Sequence, residues 1–177
     1  MIRKLTTLAA LILILPPALF AQSGSSALSS GKEHLRRDEY GMAVRSFTSY
    51  VSQQPKKTLG YDLRASTLLR MDSLDAALRD IEQSQQLDSG AQTGYFSVWL
   101  SGIAYQLQGD GVRADSALSR ASTGSPAIAG ERIKRARQST DEFLDWKGEV
   151  DKASDLYRLK LAELLLDEAI DYQLLGD

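Results

Sequence analysis

The sequence predicts an all-α protein, a solenoid of three helical hairpins followed by two further helices, on three observations. A polar turn and an alanine-centred helix start, RRDEYGMAVRSF at 36–47, return as RMDSLDAALRDI at 70–81 and as LQGDGVRADSAL at 107–118. Aligning the copies puts Ala43, Ala77 and Ala114 in register, with Phe47, Ile81 and Leu118 four positions on and Tyr50, Ser84 and Ala121 three further, offsets that share one helix face. A small residue recurs before each turn, at Gly31, Ala65 and Gly102, where two helices must approach closely. Any amphipathic bundle has the periodicity. It does not have a small residue at the same place in every hairpin.

Taken in order, residues 1–21 read as a signal peptide. Arg3 and Lys4 precede an apolar run from Leu8 to Leu15, and Pro16, Pro17 and ALFAQ supply the end region, with cleavage expected after Ala21. The run is short against the roughly 20 apolar residues a bilayer span needs, so a cleaved leader is favoured over a retained anchor. Three repeats then occupy 24–126, at about 24–57, 58–91 and 95–126. Their ends fall at Pro55, Ser89 and Pro126, equally far past the aligned alanines, and a proline there stops a helix. The third unit follows at a spacing of 37 rather than 34, and DSGAQTG at 88–94 is where the extra residues fit. Residues 127–177 form the extension: one helix over 127–146, a break at Gly148, and a second helical segment over 149–175.

In these units the chain resembles the tetratricopeptide repeat family, whose period is 34 residues and whose unit is a helical hairpin. The family's small residue falls on Gly31, Ala65 and Gly102, its turn aromatic on Tyr40, its second-helix alanine on Ala43, Ala77 and Ala114, and its terminal proline on Pro55 and Pro126. Ser89 replaces one proline, Leu74 and Gly111 replace the turn aromatic, and the first-helix Trp is matched, one position off, only at Trp99. The resemblance implies a stacked solenoid whose first helices line a concave groove that takes a protein or peptide partner. The lining would be Lys32, Leu35 and Arg36 from the first unit, Asp62, Ser66, Leu69 and Arg70 from the second, and Phe96, Trp99, Ile103, Gln106 and Leu107 from the third. Arg36 and Arg70 would hold an acidic group, and Phe96 and Trp99 would form an aromatic anchor. Members that hold chaperone tails use lining asparagines. This sequence has no asparagine, so that ligand is not expected.

Composition excludes other classes. The net charge is −2, and −4 once Arg3 and Lys4 leave with the leader, with no basic block to displace counterions from nucleic acid. There is no cysteine, hence no disulfide framework or thiolate metal site. His34 is the only histidine and lacks companions for a zinc set or a His-based general base. No phosphate-cradling or nucleophile motif occurs, and carboxylates such as Asp110 with Asp115, or Asp167 with Glu168 and Asp171, fit capping or solvated roles. The expectation is a non-enzymatic scaffold without cofactor or metal, exported to a bacterial periplasm first and the extracellular space second. It would bind a partner in an envelope complex, with no permanent membrane span and with homo-oligomerisation possible.

The extension leaves two readings open. Repeat stacks need an end that hides the last apolar face, and 127–177 can supply it. The run Leu161–Leu166 is apolar on nearly every side, however, so Leu161 and Leu165 can instead form an interface, making the chain a structural subunit that oligomerises or docks through its C-terminal helices. In the same way, Phe96 and Trp99 either line an open groove or are covered by the last helix.

Overall fold

A computed structural model describes residues 17–88, 94–123, 127–147 and 155–175. Eight helices occupy them: α1 Pro17–Arg36, α2 Tyr40–Gln53, α3 Thr58–Arg70, α4 Leu74–Leu87, α5 Tyr95–Gln108, α6 Gly111–Thr123, α7 Ala127–Lys147 and α8 Asp155–Leu175. Residues 1–16 of the expected leader lie outside the described residues, as do Ser89, Pro126 and Gly148, and 17–21 open α1.

Pairing follows chain order. α1 packs on α2, α3 on α4 and α5 on α6, and each hairpin meets the next through α2–α3, α4–α5 and α6–α7. One device makes all three hairpin turns. Asp38, Asp72 and Gly109 stand at the same register and adopt the left-handed conformation, with φ of 57°, 56° and 81°. Glycine does this freely, and aspartate is among the few other residues that tolerate it. The next residue's amide then reaches five positions back, Glu39 to His34 O, Ser73 to Leu68 O and Asp110 to Tyr105 O, at 2.8–3.0 Å. This arrangement satisfies a carbonyl that a helix end would otherwise leave unpaired.

Within each hairpin the small residue meets a large one sixteen positions on. A Cβ on Gly31 would lie 2.3 Å from the Phe47 ring, and one on Gly102 would lie 2.7 Å from Leu118. The middle pair, Ala65 and Ile81, is likewise buried. Polar pairs at the same offset add direction. The Arg64 guanidinium donates two 2.7 Å hydrogen bonds to the Asp80 carboxylate and a third, at 3.1 Å, to Thr48 Oγ1, and Gln85 donates to Ser101 Oγ at 2.7 Å. Arg64 thereby ties α3 to both α4 and α2.

The chain turns back at its C-terminal end. α7 packs on α6, and α8 returns along α7 and lies against α5 and α3. Leu161, Ala162, Leu165, Leu166, Ala169 and Ile170 join the same buried cluster as Trp99, Leu100 and Ile103. This position between α7 and the repeats is why α8 is apolar nearly all round: it has two faces to bury. No helix among the described residues is long and apolar enough to cross a membrane.

Candidate binding face

The first helix of each hairpin presents a helical stripe. Asp62, Ser66, Leu69 and Arg70 follow one another at intervals of four, three and one on α3, and Phe96, Trp99, Ile103, Gln106 and Leu107 continue the pattern on α5. The structure brings most of these residues together, and α8 lies over them. Ser66 Oγ bonds Gln173 Oε1 at 3.1 Å, Arg70 is ion-paired with Asp167, and the Arg36 guanidinium is 3.4 Å from the Leu174 carbonyl. Leu35, Leu69, Phe96, Trp99 and Ile103 are buried in the core, and Leu107 packs half-buried against it. Lys32 and Gln106 are also buried.

The aromatic end of the stripe encloses one α8 residue. Tyr172 stacks on Phe96 at 6.0 Å with an interplanar angle of 16°, lies 6.4 Å from Trp99, and shares a 2.5 Å hydrogen bond with the Tyr95 hydroxyl. The Arg132 guanidinium of α7 sits 5.9 Å from the centre of the same ring and pairs with Glu168 at 2.7 Å. Burial and the bond to Tyr172 raise the Tyr95 pKa. Farther along, Arg158 donates to the Gln106 and Leu107 carbonyls at 3.1 and 2.5 Å and so caps α5. Asp167, Tyr172, Gln173 and Arg158 therefore complete the face, and none of them follows from the repeat pattern. Their only signal was the unusually apolar run they flank.

Two expectations are corrected. Leu161 and Leu165 are 3% and 0% exposed within a single chain, because α8 is clamped between α7 and the repeats, so in this fold they offer no interface to another copy. Asp62 does not present a solvated carboxylate to a groove either. It is buried and hydrogen-bonds Ser84, while its Oδ1 has no partner among the described residues. Desolvation, with added repulsion from Asp88 and Asp80, pushes its carboxyl pKa from 3.8 to about 7 despite the Ser84 bond.

Between about pH 4 and pH 7 the folded chain thus holds a proton that the unfolded chain has released, and stability falls as pH rises through that window. Asp62→Asn is expected to remove this slope. It should raise stability at pH 8 by up to about 4 kcal/mol and change little at pH 4, as read by urea denaturation at the two pH values.

One part of the face stays open. A cleft of about 460 Å³ lies where α1, the α2 start, the α3 end and the α8 end converge, lined by Arg36, Tyr40, Arg70, Asp167, Ile170 and Leu174 among others. Its walls carry both of the arginines expected to hold an acidic group. Elsewhere the carboxylates serve structure. Asp110 accepts the Arg113 amide at 2.9 Å and caps α6, Asp115 pairs with Arg137 at 2.9 Å, and His34 Nδ1 is 2.6 Å from Glu39. No group of His, Asp or Glu able to hold a metal occurs among the described residues.

Among solved structures the chain is similar to the TPR2B domain of yeast Sti1, determined in complex with pHsp70: TM-score 0.54, 18% identity, covering 80% of this chain and 98% of that one. The fold is that of a tetratricopeptide-repeat domain. No family model matches the sequence, and no curated protein matches it. The tetratricopeptide-repeat fold accounts for the three hairpins.

Proposed function

We propose that the chain is an exported, non-enzymatic scaffold of the cell envelope that binds a segment of a partner protein on the face formed by α1, α3 and α5. The observation that carries this reading is that the face already holds a helix through side-chain contacts of three kinds. These are an arginine–carboxylate pair at Arg70, a hydroxyl–amide bond at Ser66, and an aromatic cluster at Tyr95, Phe96 and Trp99. A rigid surface of stacked hairpins keeps such groups in place, so little ordering entropy opposes binding. The solved neighbour holds pHsp70. With no asparagine to grip a backbone, this face suits a partner recognised by charge and aromatic contacts.

Location rests on the sequence of residues 1–21 and on the absence of cysteine, which suit a periplasm. The structural-subunit alternative has lost Leu161 and Leu165. It now rests on Leu156 and Leu159, which are 38% and 50% exposed near the start of α8.

A photo-crosslinking residue at Tyr40, on the cleft, is expected to capture one discrete partner in intact cells. The same residue at Val112, 84% exposed on α6, should capture none of it. Identical captures from both positions would refute binding on this face.

A further inference from the structure

We propose that the end of α8, residues 167–174, is a displaceable internal ligand, and that the partner is an amphipathic helix competing for its seat. Such a helix would set a carboxylate against Arg70 and Arg36 and place an aromatic side chain in the Tyr95, Phe96 and Trp99 cluster. The inference rests on the scaffold reading above and deepens it by naming what binds.

Three observations carry it. The end of α8 is held largely by polar and aromatic contacts to four different helices: Arg36 on α1 to Leu174 O, Arg70 and Ser66 on α3 to Asp167 and Gln173, Tyr95 on α5 to Tyr172, and Arg132 on α7 to Glu168, beside the buried Ala169 and Ile170. The first part of the helix buries more apolar surface, through Leu161, Ala162, Leu165 and Leu166, and is tied by Arg158 to the α5 carbonyls. The seat is also polar-mismatched. Trp99 Nε1 and Arg70 Nε are buried there without a hydrogen-bond partner among the described residues. An unsatisfied buried donor opposes the state that buries it, so a helix offering acceptors at these positions would fit better than α8 does. Finally, the open cleft has the α8 end as one of its walls, through Asp167, Ile170, Asp171 and Leu174. A ligand entering between Arg36 and Arg70 therefore meets the displaceable segment first.

A position occupied by an intramolecular helix lowers apparent affinity by the fraction of time it stays occupied. Weakening the internal ligand must then strengthen external binding, an effect a purely structural α8 would not produce. The probe is a fluorescein-labelled synthetic peptide of residues 155–175, read by fluorescence anisotropy against the full chain. Tyr172→Ala in the chain is expected to tighten probe binding about tenfold. In the opposite direction, the sequence has no cysteine, so Arg36→Cys with Leu174→Cys can be joined across the cleft mouth by a short reducible bis-thiosulfonate linker. The linked chain should bind the probe at least tenfold more weakly than the same chain after reduction. Circular dichroism checks that each form stays helical, and Tyr172→Ala decides alone if the cysteine pair does not fold. Equal binding by linked and reduced chains, with no gain from Tyr172→Ala, would overturn displacement while leaving scaffold binding at the cleft intact. No binding by any form would also overturn it, and the Tyr40 crosslink would then decide separately whether the scaffold reading survives.

Discussion

Leu165→Asp is expected to abolish cooperative folding of the C-terminal helices and to lower the stability of the whole chain by more than about 5 kcal/mol. Truncating a buried leucine costs about 2–5 kcal/mol, and leaving a carboxylate in its place adds the cost of an unpaired charge or of its protonation. Leu165 is 0% exposed and sits in the cluster that includes Trp99 and Ile103, so no small shift of α8 brings the new group to water. Set against a total stability of about 5–15 kcal/mol for a single domain, that loss is decisive. Thermal unfolding followed by circular dichroism, with light scattering on the same sample, tests it. The interface reading of the Leu161–Leu166 run predicts a different outcome, in which helicity and melting temperature are kept and only the mass falls. Retained helicity with a lower mass would mean that α8 is not buried in its own chain.

The repeat was legible because its signals are local. The turns at Asp38, Asp72 and Gly109, the alanines that follow, and the small-to-large pairs sixteen residues apart all lie within one hairpin, where spacing along the chain dictates spacing on a helix. The covering of the candidate face was not legible in this way. Its contacts join residues 51 to 138 positions apart, Leu107 with Arg158 at one extreme and Arg36 with Leu174 at the other, and no periodicity links such partners. The apolar run in α8 announced that something would cover it, yet its own chain and a second copy satisfy that demand equally well in the sequence. Asp62 shows a third limit. A carboxylate on a lining stripe reads as a solvated binding group, and only the approach of α4 and α5 turns it into a buried acid beside Ser84.

Gly31→Leu is expected to destabilise the protein by about 4 kcal/mol or more, although helix propensity alone argues for a gain. Glycine inside a helix is about 1 kcal/mol less favourable than alanine or leucine, so α1 would form more readily with the larger residue. Packing overrules that preference. Even the first added carbon would lie 2.3, 2.6 and 2.9 Å from three atoms of the Phe47 ring, distances that require movement. Phe47 is itself 0% exposed, which leaves the ring no space to turn into. α1 must therefore separate from α2, and overpacking of this kind ordinarily costs about 1–3 kcal/mol before the remaining leucine atoms are accommodated. Gly41 supplies the control, since nothing among the described residues lies within 4 Å of where its Cβ would stand on α2. Gly41→Leu should be neutral or stabilising by up to about 1 kcal/mol, the propensity effect acting alone. Urea denaturation of the two variants separates propensity from packing. Equal stabilities would mean that the pairing of a small residue with a large one sixteen positions on does not hold the hairpin together, and the same pairing at Gly102 and Leu118 would lose its explanation with it.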